Sequence, residues 1–286
     1  MPPLQNYRDA INRLYSSLKS KKRRIADELL SAPLEVVGLS VAEFAARCEC
    51  EQTTVVRFAQ QLGYSGFAEL KIAVARQSEA IWQEFDLPAA SEDTSEGNRV
   101  TEALLKLYFE SLRATLHGLD PAALDTVLGR IYAAGRVMIC GAGTSALAAE
   151  DLQVKLARQG VPTIFYRDFE LWNTFVGYLG EKDVLICFSN SGETAGILSV
   201  VGAARKRKVF IVAIVSFPNS TLARLADVAI HTENRGELPI RLGAMTSRVA
   251  QSVLVDYLAI RYSMQDKDKT WNYLEQSYAG QADLDH

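Results

Sequence analysis

The stretch CGAGTSALAAE, residues 140–150, decides the fold of the larger part of this chain of 286 residues. It continues the apolar run RVMIC and leads into an alanine-rich segment, a pattern typical of a strand, a tight turn and a helix. Gly141, Gly143 and Ala146 fit the G-x-G-x-x-A pattern of a dinucleotide site, and the same turn could hold a smaller phosphate group. The turn alone does not distinguish these ligands, nor does it exclude an ordinary strand-to-helix connection.

Short apolar runs recur around this stretch and alternate with helical segments. They are RVMICGA, PTIFY, DVLICFS, KVFIVAIVS and DVAIHT. Nearly continuous apolar strands separated by helices predict an α/β fold, with a doubly wound parallel sheet covered on both faces. Ligands bind such sheets just beyond the carboxyl ends of the strands.

A second polar motif, SNSGET at residues 189–194, follows the third predicted strand. Ser189, Ser191 and Thr194 supply hydroxyl groups around Gly192, and a helix is predicted to begin at about Thr194. Hydroxyls, free backbone N–H groups and the positive end of a helix together favour a phosphate dianion. In the empty site we expect the hydroxyls of Ser189 and Ser191 to face solvent.

A dinucleotide fold does not need this second cluster, although Asp168 and Glu170 lie where a ribose-binding acid would be sought. The two motifs together therefore favour a phosphate pocket over a nicotinamide or flavin site.

Four stretches in succession resemble the signatures of a sugar isomerase (SIS) domain, the phosphosugar-binding fold. They are GAGTSALAAEDLQVKLARQG, FSNSGETAGIL, NSTLARLADVAI and TSRVAQSVLVDYLAIRY. The resemblance implies a phosphate cradle on Ser189, Ser191 and Thr194, with Thr144 and Ser145 facing the same pocket. It also places Asn190 within reach of the sugar.

The part of the chain before residue 87 has only helical periodicity and contains a separate motif. Ser40 and Glu43 form a capping box, which predicts a helix from Val41. Val55 and Phe58 are apolar anchors on the next helix, so the segment Val41 to Leu62 fits a helix-turn-helix.

The second helix of this motif is predicted to expose polar side chains to a DNA major groove. These are Gln52, Thr53, Thr54, Arg57 and Gln61. Lys71 and the basic run Lys21 to Arg24 are further candidates for phosphate contacts, although such a run is more often a solvated helix face.

The stretch TTVVRFAQQLGYSGFAELK closely resembles the DNA-binding domain of the RpiR family, bacterial transcription regulators that join this motif to a sugar-phosphate-sensing SIS domain. The chain departs from the family where the turn usually has a glycine and then a capping serine, because it carries Glu49 and Glu51. Without glycine, the turn must hold another residue in a left-handed or otherwise strained conformation.

The predicted plan is an all-α helix-turn-helix domain at 1–84, a linker at 85–100 and a SIS domain at 101–286. The linker is inferred from LPAASEDTSEGN, where small and acidic residues replace hydrophobic periodicity. The resemblance implies operator DNA and a phosphorylated sugar effector as partners. Because one helix-turn-helix buries too little surface for tight binding, we expect a homodimer or homotetramer that binds an inverted repeat. No cofactor, metal or catalytic residue is expected.

Composition places the protein in a reducing, cytoplasmic setting without a membrane segment. The longest apolar runs are too short to span a bilayer, and the start of the chain lacks the layout of a signal peptide. The spacing of the four cysteines fits neither a disulfide framework nor a Cys-x-x-Cys site. Residues 1–76 carry eleven basic against eight acidic side chains, a weak indication of nucleic acid.

A phosphosugar isomerase, or another sugar-phosphate enzyme of the SIS class, is the alternative function. Isomerisation needs a base close to the substrate carbons. None of the three histidines lies in the two polar loops, which leaves Glu150 and Glu193 as candidates. A carboxylate in a turn such as that of Glu193 more often supports a helix N-terminus.

Overall fold

The chain divides into two compact units in this computed structural model, which describes residues 7–31, 33–85, 96–233 and 244–282. Within the described ranges, the first unit takes residues up to Glu110 together with 244–245, and the second takes 111–233 and the residues from Thr246 onward. Each unit has its own apolar core.

The first unit is helical, as the sequence predicts. Its first six helices are α1 (Tyr7–Leu14), α2 (Ser20–Ser31), α3 (Pro33–Gly38), α4 (Val41–Arg47), α5 (Gln52–Gln61) and α6 (Phe67–Phe85). A short 3₁₀ helix at Tyr15–Ser17 follows α1. Apolar side chains spaced along the helices meet in one buried cluster, which includes Ile11, Ile25 and Phe58. Phe44 of α4 stacks on Phe67 of α6 with ring centroids 5.1 Å apart, which joins the helix-turn-helix to the rest of the unit.

The predicted linker at 85–100 lies largely outside the described residues. Helix α6 ends at Phe85, residues 86–95 are not described, and α7 (Glu96–His117) takes up the remainder. The domain limits at 84 and 101 therefore stay a prediction.

The second unit alternates strands and helices. After α7, its elements are α8 (Pro121–Ala133), β1 (Val137–Gly141), α9 (Ser145–Arg158), β2 (Thr163–Phe165), α10 (Phe169–Phe175), β3 (Val184–Phe188), α11 (Ala195–Lys206), β4 (Phe210–Val215), α12 (Thr221–Leu225), β5 (Val228–His231), α13 (Thr246–Ser263) and α14 (Lys267–Ala282). A 3₁₀ helix at Val176–Tyr178 follows α10. The five strands are those that the apolar runs predict.

The strands form one parallel sheet in the order β2-β1-β3-β4-β5. Alternate side chains of each strand enter opposite cores, because strand side chains alternate in direction. Ile139 of β1 packs with side chains of α8, α9 and α13, whereas its neighbour Cys140 packs with those of α10, α11 and α12. The predicted doubly wound architecture is confirmed.

The four cysteines are free thiols, and Cys48, Cys140 and Cys187 are buried. Burial raises the pKa of the Cys48 thiol to about 12 and also raises the pKa of Cys187. They behave as small apolar residues of the cores. Within the described ranges, no helix is both long and apolar enough to cross a lipid bilayer.

Candidate phosphate cradle and nucleic-acid interface

The strand order of the sheet reverses between the neighbouring strands β1 and β3. The chain leaves β1 for α9 on one face of the sheet and leaves β3 for α11 on the other. Ligands of open α/β sheets bind at this switch point. The order is that of flavodoxin-like sheets and differs from the 3-2-1-4-5-6 order of the dinucleotide fold. The two motifs chosen from the sequence are the loops at this point.

The loop after β1 brings α9 against the end of the strand. A Cβ atom on Gly141 would lie 2.6 Å from the backbone oxygen of Ser145, so only glycine permits this approach. Gly143 adopts a left-handed φ of 57°. Thr144 is exposed at the start of α9, whereas Ser145 is buried.

The loop after β3 is held by its own side chains. Ser189 Oγ lies 3.0 Å from Thr194 Oγ1 and accepts a 3.0 Å hydrogen bond from the Gly192 N–H. Ser189 is only 3% exposed. The expectation that its hydroxyl faces solvent is therefore wrong, because that oxygen satisfies a buried backbone donor of the loop.

The other polar groups of this loop keep hydrogen-bonding capacity that the loop itself does not use up. Ser191 is exposed and accepts a 3.2 Å hydrogen bond from the Glu193 N–H. Asn190 Oδ1 is a buried acceptor with no hydrogen-bond partner in the described chain. Thr194 precedes the twelve-residue helix α11, but its side chain makes no capping hydrogen bond. The first N–H groups of the helix are therefore not bound by the side chain of their cap residue. Helix donors of this kind attract anions.

Ser220 is a part of the site that the sequence interpretation missed. It caps α12 by accepting from the Ala223 N–H at 3.3 Å, and its side chain closes on the loop at Gly192. Gly192 has a left-handed φ of 67°. The available signal was a serine preceding a short helical stretch in NSTLARL, which indicates a cap but not a contact with a distant loop.

The helix-turn-helix is formed by α4 and α5, as predicted. Both bonds of the capping box are present, with the Ser40 hydroxyl accepting from the Glu43 N–H at 3.2 Å and the Glu43 carboxylate accepting from the Ser40 N–H at 2.8 Å. Val55 and Phe58 are fully buried. The polar residues chosen for DNA lie outward on α5, with Gln52, Thr53, Arg57 and Gln61 exposed and Thr54 half-buried.

The turn between α4 and α5 has the strain that its missing glycine implies. Glu49 adopts a left-handed φ of 51°. Arg24 of α2 forms an ion pair with its carboxylate. Glu51 precedes α5 in an extended conformation, and its side chain makes no capping bond to the helix.

Two family models match successive parts of the chain. The helix-turn-helix domain of the rpiR family matches residues 5–80, and the SIS domain matches residues 130–261. The chain belongs to the RpiR family. Both resemblances drawn from the sequence are confirmed.

Relatives match this RpiR-family chain over nearly its full length. An uncharacterised HTH-type transcriptional regulator of Caldanaerobacter subterraneus subsp. tengcongensis is 28% identical over 265 residues, 93% of each chain. The uncharacterised HTH-type transcriptional regulator YbbH of Bacillus subtilis is 25% identical over 277 residues, 94% of each chain. The relatives are named as regulators that carry an HTH motif.

Two solved structures share the fold. The Vibrio vulnificus NanR protein complexed with ManNAc-6P has a TM-score of 0.63 at 22% identity, and the match covers 96% of this chain and 98% of that one. The sugar isomerase domain of an RpiR transcription factor from Sphaerobacter thermophilus has a TM-score of 0.58 at 21% identity, covering 63% of this chain and 99% of that one. They support the fold assignment of the SIS unit.

The acidic side chains considered for catalysis or for a ribose make structural contacts within the SIS unit. Glu193 Oε1 accepts a 2.7 Å hydrogen bond from the Thr221 N–H, which supports the start of α12. Glu150 pairs with Arg167. Asp168, a candidate for binding the ribose of a dinucleotide, instead caps α10 by accepting a 2.8 Å hydrogen bond from the Glu170 N–H.

Lys71 differs from the other residues predicted to contact DNA. Its ammonium donates to the carbonyl oxygens of Leu39 at 2.8 Å and Val37 at 3.3 Å, at the end of α3. A cation at a helix C-terminus stabilises the free carbonyl groups there. The structure thus gives Lys71 a contact inside the unit, apart from the exposed residues of α5.

Proposed function

We propose that this chain is a transcription regulator whose binding to operator DNA responds to a phosphorylated sugar. The observation that carries the proposal is the presence, in one chain, of a helix-turn-helix with an outward polar helix and of two polar loops at the switch point of a parallel sheet. Arg57 supports the first half, because its exposed guanidinium has no hydrogen-bond or ion-pair partner in the described chain. An uncommitted arginine on such a helix suits the acceptor edge of guanine.

The proposed effector site uses the first-turn N–H groups of α11 and the hydroxyls of Ser191 and Thr144 for the phosphate. Ser189 and Thr194 hold the loop in the shape that aims these donors, and Ser145 lines the neighbouring turn. The sugar lies beyond the phosphate, where the buried Asn190 Oδ1 can accept a bond from a hydroxyl. The ligand of NanR, ManNAc-6P, makes phosphorylated amino sugars the first class to examine.

The proposal assigns no catalytic step to this chain. Glu150 and Glu193, the carboxylates closest to the loops in sequence, are both held by structural partners. His117 ends α7 and His231 ends β5, outside the two loops, and His286 lies outside the described residues. A sensor needs binding and coupling, whereas an isomerase needs a free base at the substrate.

The regulator is proposed to act in the cytoplasm as a homodimer or homotetramer on an inverted repeat. A single helix-turn-helix buries too little surface for tight operator binding, and symmetric dimers match palindromic sites. Exposed apolar side chains on α7 support self-association: Leu105 is 59% exposed and Phe109, one turn later, is 66% exposed.

The test combines selection of DNA with a screen of ligands. The full-length protein is used to enrich sequences from genomic fragments of the source organism, and its affinity for the enriched site is then measured with a panel of phosphorylated sugars and amino sugars. Thermal shift is recorded in parallel, because a ligand that binds only the folded state raises Tm. We expect an enriched inverted repeat and at least one sugar phosphate that changes both affinity and Tm.

The matched controls are the same sugars without phosphate, inorganic phosphate, and nicotinamide and flavin nucleotides. A chain that binds a dinucleotide and no sugar phosphate contradicts the sensor assignment. Turnover of an aldose phosphate to its ketose, followed by NMR, would favour the isomerase alternative.

A further inference from the structure

Glu51 places an acidic group at the start of α5, the helix proposed to enter the major groove. The residue is extended, with φ −81° and ψ 149°, and the helix does not use its side chain as a cap. The carboxylate is exposed and accepts a 3.3 Å hydrogen bond from the Thr53 hydroxyl. Residues at the N-terminal end of a recognition helix contact base edges.

The neighbouring acid, Glu49, has a different environment. Its carboxylate pairs with Arg24 of α2, which balances its charge and ties the turn to that helix. Glu51 has no ion pair in the described part of the chain. Of the two acids in this turn, Glu51 is therefore the one with a negative charge available to DNA.

The opposite end of α5 is engaged within the unit. Lys22 of α2 donates a hydrogen bond to Gln61 Oε1, near the last turn of α5. The half of the helix that remains available for base edges begins at Glu51 and includes Thr53 and Arg57. Arg57 lies six positions after Glu51, about 9 Å along a helix axis at a rise of about 1.5 Å per residue. Nucleotides rise by about 3.4 Å along each strand, so this length corresponds to two to three base-pair steps.

We propose that Glu51 selects a cytosine in each half-site of the operator, two to three base pairs from a guanine contacted by Arg57. The inference rests on the proposed DNA-binding function. An ionised carboxylate only accepts hydrogen bonds, and cytosine presents the N4 amino donor in the major groove. Adenine also donates, but its N7 acceptor lies beside the amino group, and guanine presents only acceptors. The carboxylate also repels phosphate, so Glu51 weakens binding wherever this donor is missing.

The experiment compares the sequences selected from random DNA by the full-length wild type, Glu51→Gln and Glu49→Gln. Both substitutions remove one charge from the same turn, but only Glu51 carries the proposed base contact. We expect wild type and Glu49→Gln to enrich cytosine at the same position of each half-site. Glu51→Gln loses that preference by about five- to 150-fold, the discrimination typical of one base contact, and keeps the guanine.

A second variant, Glu51→Ser, separates base selection from folding. Serine is a favourable cap for α5, so this variant is expected to melt no lower than wild type and still lose the cytosine preference. Retention of the preference by Glu51→Gln, or its loss in Glu49→Gln, overturns the assignment. If wild type enriches no sequence, the DNA-binding function itself fails. If it enriches a site that Glu51→Gln selects unchanged, only the role of Glu51 fails.

Discussion

A Cβ atom on Gly192 would lie 2.2 Å from the Ser220 hydroxyl oxygen and 2.5 Å from its Cβ atom. The loop after β3 thus packs directly on the residue that caps α12. Gly192 also has a φ of 67°, which other residues rarely adopt. We expect Gly192→Ala to lower the free energy of unfolding by about 2–5 kcal/mol, from left-handed strain and overpacking together. Denaturant titration measures the change.

Gly202 provides the matched control for this substitution. It lies within α11, and an added Cβ atom would meet no atom within 4 Å. Gly202→Ala should raise stability by up to about 1 kcal/mol, since alanine favours a helix interior. A Gly192→Ala protein as stable as Gly202→Ala would show that the loop can move away from Ser220 at little cost.

Replacing Ser189 by alanine should lower stability more than replacing Ser191. Ser189→Ala leaves the Gly192 N–H without its buried acceptor and is expected to cost about 1–3 kcal/mol. Ser191 is exposed, so Ser191→Ala should stay within about 0.5 kcal/mol of wild type. Both should weaken the binding of a sugar phosphate by about tenfold or more, through loop shape in one case and a lost charged hydrogen bond in the other. Calorimetry with the ligand from the thermal screen gives this second comparison.

The fold was predictable from the sequence because its signals are local. Apolar runs of strand length between helical stretches indicate a parallel sheet, and five such runs became β1 to β5. The capping box at Ser40 and Glu43 is likewise a short-range pattern that fixes where α4 begins. A contact between residues three positions apart can be predicted without knowing the tertiary structure.

The details of the site were less predictable because they depend on contacts between distant segments. A serine hydroxyl can bind a ligand or a group of its own loop, and the sequence does not distinguish these roles for Ser189. Only the fold shows that its oxygen accepts a hydrogen bond from the Gly192 N–H. The ammonium of Lys71 could bind a phosphate, but in the structure it donates to the backbone carbonyl oxygens of Leu39 and Val37. Ser220 meets Gly192 across 28 residues of sequence, a proximity that no local pattern encodes.

Glu49 should tolerate glycine far better than a β-branched residue. Its left-handed φ of 51° costs an ordinary residue about 1–2 kcal/mol, and a branched Cβ makes this conformation worse. Glu49→Val should therefore lower stability by about 1–3 kcal/mol. Glu49→Gly, which relieves the strain but loses the exposed pair with Arg24, should stay within about 1 kcal/mol of wild type. Equal melting of the two variants would mean that the turn does not require this conformation.

Phe109 should contribute to self-association. Replacing this exposed aromatic side chain by aspartate puts a charge on the apolar face of α7, which is costly if that face becomes buried between subunits. We expect Phe109→Asp to lower the mass measured by light scattering at micromolar concentration. Glu110→Gln, an exposed change on the next residue, should leave the mass unaltered. An unchanged mass in Phe109→Asp would place the interface elsewhere.

Arg57 should carry both affinity and specificity for the operator. Its guanidinium is exposed on α5 and uncommitted in the described chain, so it can donate two hydrogen bonds to guanine. Arg57→Ala should lose about 1–3 kcal/mol of operator binding and relax the preference at the guanine position. Competition titrations against operator and random DNA at fixed salt separate this loss from a general loss of charge, which would weaken binding to both DNAs equally.

Lys71→Ala is the control variant, because the Lys71 ammonium is bound to carbonyl oxygens at the end of α3 and its loss should affect stability more than base preference. Unchanged binding of Arg57→Ala to both DNAs would remove α5 as the recognition helix, whereas equal weakening on both would make Arg57 a phosphate contact.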